Sequence, residues 1–257
     1  MSGFSAEWLA LREPADVAAR SADLVAFLGR RFESRLLDLG GGTGANIRYL
    51  ASKLPSPQHW TIVDDDAALL ARAPASAVRH RADLNAILDE PDLFHGCSLV
   101  TASALLDLVS ERWLAGLILR CRSEGAAVLF ALNYDGRIVC SPEDPEDEDV
   151  RRLVNEHQKR DKGFGPALGP DAGARASAML SAAGYVTRQQ PSDWKLLPSA
   201  SDLQRELVKG WAAAAAEVAP DRQAAIASWQ ARRLSHIEAG RSRIVVGHTD
   251  VAGIASR

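Results

Sequence analysis

Apolar runs alternate with helix-like patterns along the first half of the chain. Five short apolar runs are predicted as strands: RLLDLG, WTIVD, AVRHRAD, CSLVTAS and AAVLFALN. Four segments between them are predicted as helices: ANIRYLASKL, AALLARA, a short helix at about 86–89, and ERWLAGLILRC. Strands that alternate with helices of this length predict a parallel sheet with helices on both faces.

The flanking and C-terminal parts of the chain depart from this alternation. Apolar residues on one face predict a helix from about Pro14 to Phe32, with the proline in its first turn. After Asn133, six carboxylates crowd residues 142–149 and predict a solvated loop or a capped helix start. The α/β pattern then resumes in a helix at about 172–183, a strand from Tyr185, helices at about 201–218 and 221–239, and a last strand, SRIVVGHTD.

The composition is that of a soluble globular protein. Of the 257 residues, 47% are hydrophobic and 25% are charged, which excludes a disordered chain, a collagen-like repeat and a coiled coil. The net charge of −3 provides no global field for nucleic acid or an anionic membrane, and no apolar run approaches the roughly 18–20 residues of a membrane span. The start of the chain lacks signal-peptide features, and three cysteines without metal-type spacing predict buried free thiols. These features favour a cytoplasmic protein.

A glycine cluster follows the first predicted strand and precedes a helix. Gly40, Gly42 and Ala45 satisfy the G-x-G-x-x-A form of a dinucleotide-binding fingerprint. Glycines there allow a tight turn and let a ligand approach the main chain closely. The cluster alone is weak evidence, because a tight strand-to-helix turn without a ligand has the same composition.

Two acids make this turn more informative. Asp38 lies two residues before the first glycine, at the carboxyl end of its strand, where open α/β sheets bind ligands. A carboxylate there would repel a pyrophosphate, but it can accept hydrogen bonds from an ammonium group or lie near a sulfonium cation. Asp64 ends the second strand, 20 residues beyond Gly44, where an acid can bind both hydroxyls of a ribose. Asp66 is the best candidate for capping the helix that follows.

With these residues the sequence resembles the class I S-adenosylmethionine-dependent methyltransferases. The resemblance covers roughly residues 35–133 and the closing strand, and it is carried by DLGGGTG at 38–44, VDD at 63–65, RADL at 81–84 and LVTASALLDLV at 99–109. It implies an α/β fold: a doubly wound, mostly parallel, seven-stranded Rossmann-like sheet with helical lid insertions. It also implies S-adenosylmethionine as the cofactor and S-adenosylhomocysteine as the product.

The resemblance implies a role for each matching position. Gly40 and Gly42 would line the methionine part of the donor, Asp38 would hold its ammonium group directly or through water, and Asp64 would bind the ribose. The remaining implied contacts are Asp65 beside the adenine, Asp83 at the adenine amino group, Leu84 against the ring, and Ser103 close to the methionine part. Asp107 would face the acceptor.

Three polar residues are candidate catalytic residues, namely Asp107, Asn133 and His157. Asp107 and Asn133 follow the fourth and fifth strands, and His157 lies in the segment after the fifth strand. On a helix, His157 and Asp161 would share a face, either as a base oriented by a carboxylate or as a solvated pair. No third ligand lies nearby, so no metal site is predicted.

The leading hypothesis is a methyltransferase that moves a methyl group to a small-molecule acceptor by in-line displacement. Two alternatives stay open: a nicotinamide-dependent oxidoreductase that uses the same turn, and a non-catalytic S-adenosylmethionine-binding protein. An acceptor that is a protein or tRNA also stays open, although the low net charge disfavours nucleic acid.

The expected organisation is one domain over residues 1–257. Its core would comprise about 35–133, 172–198 and 241–254. An N-terminal helix (1–32), an insert (134–171) and a helical pair (200–239) would serve as lid or acceptor-binding elements. Within the N-terminal helix, Trp8, Arg12 and Glu13 are placed to form part of a lid over the donor.

Overall fold

The computed structural model describes residues 4–29 and 35–256. In this part of the chain the helices are α1 (Ala6–Ala19), α2 (Ala22–Leu28), α3 (Ala45–Ala51), α4 (Ala67–Leu70), α5 (Pro91–Phe94), α6 (Glu111–Ser123), α7 (Asp147–Gln158), α8 (Ala172–Ala182), α9 (Ser201–Val218) and α10 (Gln223–Glu238). The strands are β1 (Arg35–Leu39), β2 (His59–Asp64), β3 (Val78–Arg81), β4 (Leu99–Ser103), β5 (Ala127–Ser141), β6 (Tyr185–Pro191), β7 (Trp194–Leu196) and β8 (Arg243–Ala255).

All the strands belong to one sheet with the order β3–β2–β1–β4–β5–β8–β6, and the short β7 pairs with β8 beyond the end of β6. Strands β1 to β5 run parallel to one another, whereas β8 runs antiparallel to β5, β6 and β7. The predicted fold class, a doubly wound and mostly parallel sheet, is therefore confirmed. The seven predicted strands are present, and β7 is an addition that the apolar pattern of the chain did not indicate.

Alternate residues of the central strands enter separate cores on the two faces of the sheet. Leu37 and Leu39 point into a core formed with α5, α6 and α8, whereas Leu36 points into the core beneath α2 and α3. Asp38 lies on the α2–α3 face as well, because it is two residues from Leu36. A charged side chain therefore stands at the upper edge of an otherwise apolar layer.

The N-terminal segment forms two helices, so the prediction of a single helix from Pro14 to Phe32 is wrong. Ser5 and Ser21 each cap a helix, accepting hydrogen bonds from the backbone N–H groups of Trp8 and Leu24. Because Ser21 starts a new helix, α1 ends at Ala19, and Pro14 lies inside it rather than in its first turn. Phe32, the predicted end, lies outside the described residues.

Strand β5 is longer than the apolar run that predicts it. The run ends at Asn133, but the strand continues to Ser141 because β8 pairs with it along the whole length, as far as the Ser141–Arg243 pair. The ladder shifts register after Phe130 and again after Tyr134. The first eight residues of the expected insert at 134–171 are thus strand, and helix α7 begins within the acidic segment, at Asp147.

A third core lies around the extended ends of β5 and β8. Helices α7, α9 and α10 pack there with β7, and apolar residues of α1 pack against the same cluster. Trp211 and Trp229 are buried in it. The additions to the sheet are therefore joined to it by a core of their own, beside the carboxyl edge of the central strands.

Candidate active site

A cavity of about 530 Å³ lies at the carboxyl ends of β1, β2 and β4. Its size is within the range of pockets that enclose small ligands. The structure brings together in its lining all eight residues expected at the donor: Asp38, Gly40, Gly42, Asp64, Asp65, Asp83, Leu84 and Ser103.

The glycine turn after β1 shapes the floor of this cavity. Gly42 has a φ of +53°, a left-handed conformation that favours glycine. At Gly41 space is the constraint, because an added Cβ would lie 2.5 Å from Cγ1 of Ile62 and 2.6 Å from Oδ2 of Asp38. The second distance shows that Asp38 lies directly beneath the turn. Only a glycine at position 41 leaves room for the carboxylate.

Asp64 is fixed by two backbone groups. Its Oδ2 accepts a hydrogen bond from the N–H of Gly42 at 2.9 Å, and its Oδ1 accepts one from the N–H of Asp66 at 3.0 Å. Partial burial raises the pKa of Asp64. Asp66 caps α4 by accepting from the N–H groups of Ala68 and Leu69, as the sequence predicts. The carboxylate of Asp64 is thus held at the cavity with lone pairs left for hydroxyl groups of a ligand.

Asp38 is fully buried and only half satisfied. Its Oδ1 accepts a hydrogen bond of 2.6 Å from Nδ2 of Asn46, while its Oδ2 has no partner among the described residues. Burial raises the pKa of Asp38 to about 7, against the hydrogen bond from Asn46 and the nearby Arg20, which lower it. A buried carboxylate with an unmatched oxygen is a site at which a cationic group is stabilised.

The other expected donor contacts lie around the mouth of the cavity. Asp65 and Asp83 are exposed, and Leu84 and Ser103 are partly buried. Asp83 accepts a hydrogen bond from the backbone N–H of Asn85, which forms a tight turn after β3. The carbonyl of Leu84 accepts from Nε1 of Trp113 at 2.7 Å, so the loop that carries both residues is anchored to α6.

Asp107 follows β4 and lies behind the cavity lining. Leu105 and Leu108, on either side of it, both line the cavity. The side chain is buried, and Oδ1 has no hydrogen-bond partner among the described residues. Burial raises the pKa of Asp107 to about 6, although the charges of Arg12 and Lys162 lower it. An acid with these properties can take up a proton near neutral pH.

Asn133 and His157 do not line this cavity. Nδ2 of Asn133 donates to the carbonyls of Phe130 and Thr249, at 2.9 and 2.8 Å, where the β5–β8 ladder shifts register. Nε2 of His157 lies 3.1 Å from Oε2 of Glu217, on α9. Both side chains join structural elements in this conformation.

The expected pairing of His157 with Asp161 is absent from the structure. Helix α7 ends at Gln158, so the two residues do not share a helical face. Oδ1 of Asp161 instead accepts from the N–H groups of Gly163 and Gly165 and shapes the loop that they form. Burial and the charge of Lys162 lower the pKa of His157.

The N-terminal helix supplies part of the cavity wall. Of the three residues expected in a lid, Arg12 lines the cavity, while Glu13 forms an ion pair with Arg48 of α3. Asp16 also lines the cavity and pairs with Arg12 at 3.0 Å. Asp16 and Phe164, which both line the cavity, carry no motif that would have singled them out.

No family model matches the sequence, and no curated protein matches it. Solved structures do match. A cyclopropane-fatty-acyl-phospholipid synthase-like protein from Lactobacillus casei superposes with a TM-score of 0.58 at 14% identity, over 98% of this chain and 95% of that chain. A protein from Bacillus halodurans that is assigned as a methyltransferase superposes with a TM-score of 0.52 at 12% identity, over 91% and 98%.

The chain has the fold of the class I methyltransferases. At these identities the likeness concerns the fold. A phosphoethanolamine N-methyltransferase from Haemonchus contortus, solved with S-adenosylhomocysteine, also matches, with a TM-score of 0.45 at 15% identity over 91% of this chain. The chain spans 52% of the length of that protein.

Three further findings concern membrane-spanning helices, metal sites and the cysteines. None of the helices that the structure describes is long and apolar enough to cross a membrane. Within residues 4–29 and 35–256, no group of three or more His, Cys, Asp or Glu side chains is arranged to hold a metal ion. Cys97, Cys121 and Cys140 are buried and free, as the sequence predicts.

Proposed function

We propose that this protein is an S-adenosylmethionine-dependent methyltransferase that acts on a small-molecule acceptor. The observation that carries the proposal is the pair of acids in one cavity. Asp38 offers a buried oxygen that has no partner among the residues the structure describes, and Asp64 lies at the end of the neighbouring strand β2. The two therefore present carboxylates to the two polar ends that a nucleoside linked to an amino acid possesses.

The residues present fit this donor. The unpartnered Oδ2 of Asp38 suits an ammonium group, and Asp64 suits the ribose hydroxyls. An added Cβ at Gly42 would lie 2.9 Å from Cδ1 of Leu9, so the glycine keeps the floor of the cavity clear beneath α1. Asp65, Asp83 and Leu84 would surround the adenine, and Ser103 would lie by the methionine part. A pyrophosphate, by contrast, would meet the carboxylate of Asp38.

When bound, S-adenosylmethionine supplies an activated methyl group: the sulfur–methyl bond breaks, the acceptor–methyl bond forms in line with it, and S-adenosylhomocysteine is left. The protein mainly provides proximity and orientation, which can be worth ~7–11 kcal/mol for well-aligned reactants. A base is needed only where the acceptor atom must lose a proton. Asp107 is our candidate for that base, because it is buried beside the cavity and no described residue forms a hydrogen bond with its Oδ1.

The acceptor would lie against α1 and the loop after β4. Besides the residues assigned to the donor, the cavity lining includes Arg12, Leu105, Leu108 and Phe164. The N-terminal helix and the segment after β5 thus contribute to the wall, as acceptor-binding elements would. Helices α9 and α10 add no lining residue among those described, and we assign them the role of supporting α7. The volume of the cavity, about 530 Å³, favours a small molecule.

Calorimetry tests the proposal. The protein is titrated with S-adenosylmethionine, S-adenosylhomocysteine and NAD in separate experiments. We expect the first two to bind and NAD not to bind. Binding of NAD alone would overturn the proposal and favour the nicotinamide-dependent oxidoreductase.

A second experiment separates an enzyme from a binding protein. The protein is incubated with S-adenosylmethionine labelled in the methyl group and with a broad panel of small metabolites, and labelled products are separated. We expect transfer to at least one of them. Tight donor binding with no transfer to any small molecule, protein or tRNA would favour a non-catalytic protein.

A further inference from the structure

Beneath the glycine turn, a row of buried polar side chains connects the N-terminal segment to Asp38. Nη1 of Arg20 donates to Oδ1 of Asn46 at 2.7 Å, and Nδ2 of Asn46 donates to Oδ1 of Asp38 at 2.6 Å. Nδ2 of Asn46 also lies 3.1 Å from Oγ1 of Thr101 on β4. All four side chains are buried. A guanidinium only donates and a carboxylate only accepts, so the two ends of the row fix which way the amide of Asn46 faces.

Arg20 is held from its other side by Asp250 of β8. Nε of Arg20 lies 3.8 Å from Oδ2 of Asp250. Asp250 also accepts hydrogen bonds from the backbone N–H groups of Ser21 and Leu132, at 3.1 and 2.7 Å. Both carboxylate oxygens of Asp250 therefore have hydrogen-bond partners within the fold. The guanidinium of Arg20 lies over the ring of Tyr49, 4.5 Å from its centroid, which restricts its position further.

The cluster contains one more carboxylate than guanidinium. Asp250 is matched by Arg20 and two backbone donors, whereas within residues 4–29 and 35–256 Asp38 receives a single hydrogen bond, at Oδ1, and none at Oδ2. Nη2 of Arg20 is likewise buried and without a partner among the described residues. The unmatched negative charge therefore falls at Asp38, on the side of the cavity.

We propose that Arg20 is a positioning residue for donor binding, which acts through Asn46 to hold Asp38 oriented and ionised for the ammonium group of the donor. The inference rests on the proposed function, because it takes the ligand of Asp38 to be that ammonium group. Arg20 itself is separated from the cavity by Asn46 and does not line it.

The charges that face this cluster determine how pH acts on it. Arg20 is the cation near Asp38, and the carboxylate of Asp64 is the anion near it on the cavity side. Arg20 in turn faces Asp250, Asp16 and Tyr49. With a pKa of about 7, Asp38 is largely protonated below that pH and then attracts an ammonium group poorly. Without Arg20, burial and the charge of Asp64 would raise the pKa of Asp38 further, so Asp38 would stay protonated up to a higher pH.

The experiment compares two ligands in three variants. S-adenosylhomocysteine carries the ammonium group, and methylthioadenosine has the same nucleoside without it. Binding of each is measured by calorimetry between about pH 5.5 and pH 7.5, where an α-ammonium group stays largely charged. The variants are Arg20→Met, Arg20→Lys and the control Arg188→Met, which removes an exposed arginine that lies 4.6 Å from the ring of Phe27.

We expect Arg20→Met to weaken S-adenosylhomocysteine binding about tenfold or more at pH 7.5 and to leave methylthioadenosine within about twofold. The ratio of the two affinities removes the effect of Asp64, which both ligands share. In the unsubstituted protein this ratio should fall as the pH drops below about 7. In Arg20→Met this ratio should begin to fall at a higher pH. Arg20→Lys should restore most of the ratio at pH 7.5. Arg188→Met should change neither the ratio nor its pH dependence.

Equal weakening of both ligands by Arg20→Met, or an unchanged pH profile, would overturn the inference and leave a merely structural role. If Arg20→Met does not fold, Asn46→Leu interrupts the same row with Arg20 in place and must show the same selective loss. Failure of the unsubstituted protein to bind either ligand would instead overturn the proposed function, and this inference with it.

Discussion

Asp38 and Asp64 lie at the ends of neighbouring strands, but their oxygens are engaged differently. Asp64 is oriented by the backbone N–H groups of Gly42 and Asp66 and is only partly buried. Asp38 is fully buried beneath the turn, and among the described residues Asn46 alone donates a hydrogen bond to it. At the residue scale, therefore, Asp64 suits neutral hydroxyl groups and Asp38 suits a cation.

Asp64→Ala should weaken binding of S-adenosylhomocysteine and of methylthioadenosine alike, each at least tenfold, because charged hydrogen bonds are worth ~1.5–3 kcal/mol. Calorimetry measures both affinities. Asp92→Ala is the control: it removes an exposed carboxylate that does not line the cavity, and it should leave both affinities within about twofold. Unchanged affinity in Asp64→Ala would mean that the ribose site is misassigned.

Asp107→Asn should separate turnover from donor binding. With the substrate found in the metabolite screen, we expect kcat to fall at least about a hundredfold if the acceptor loses a proton, and the Kd of S-adenosylhomocysteine to change by less than about twofold. In the unsubstituted protein, kcat should rise with pH through about 6, as Asp107 becomes ionised. A variant that keeps both its kcat and this pH dependence would exclude Asp107 as the base.

The same acid affects stability. Because its folded pKa is raised to about 6 from an ordinary value of 3.8, its contribution to stability is fully present below about pH 4 and is lost as the pH rises through 6. Asp107→Asn should therefore be more stable relative to the unsubstituted protein at pH 7 than at pH 4, as measured by urea unfolding. The opposite trend would show that Asp107 is stabilised in its charged form.

Single residues were predictable where a short motif surrounds them. The glycines and the spacing from Gly44 to Asp64 indicate, from the sequence alone, the turn and an acid that lines the cavity. Arg20 and Asn46 were not predictable, because their significance depends on contacts between elements that are distant in the chain. The same holds for His157, whose partner Glu217 lies 60 residues away.

At the scale of elements, helix α7 is tied to α10 through one acid. Asp147, in the first turn of α7, accepts from Nε1 of Trp229 at 2.8 Å and from Nε of Arg233 at 2.9 Å, and it also contacts Nη2 of Arg233. The side chain of Arg233 is only 1% exposed. The arginine thus depends on Asp147 for its charge partner.

Asp147→Ala should lower the free energy of unfolding by about 3–5 kcal/mol, because it leaves a buried guanidinium without its charge partner. Urea unfolding measures the change. The control is Arg152→Ala on the same helix, whose exposed contact with Asp149 at 3.8 Å should contribute no more than about 0.5 kcal/mol. A loss below about 1 kcal/mol in Asp147→Ala would show that water or another group replaces the carboxylate.

Element types were more predictable than their limits. Helix α9 has the predicted bounds because its apolar positions repeat regularly. Strand β5 extends beyond its apolar run. Past Asn133 the strand is maintained by pairing with β8 and not by burial on both faces. The single helix expected at the N-terminus divides at Ser21, whose capping hydrogen bond outweighs the continuous apolar pattern.

For the whole molecule, alternation of strands and helices predicted the parallel half of the sheet. The sequence also indicated where residues beyond a bare sheet fold accumulate, but their packing follows from a separate core around β5 and β8. That packing depends on contacts between distant segments with no shared motif. The part of the cavity formed by α1 and Phe164 could accordingly be located only in the folded chain.

Because the cavity is built from the sheet edge and the N-terminal helix together, a donor that fills it should stabilise the whole fold. At a concentration of S-adenosylhomocysteine about 100 times its Kd, we expect a gain of ~2.7 kcal/mol, and a rise in Tm of roughly 5–10 °C. Differential scanning calorimetry measures the shift. NAD at the same concentration should give none, and a shift with NAD alone would contradict the assignment of the cavity.

A crystal structure of the protein with S-adenosylhomocysteine tests the central claim most directly. We expect the ribose hydroxyls on the carboxylate of Asp64, the adenine beside Asp83 and Leu84, and the ammonium group at Oδ2 of Asp38, directly or through one water. Space bounded by Arg12 and Phe164 should remain next to the sulfur. A ligand bound elsewhere, or one whose ammonium group points away from Asp38, would contradict the account.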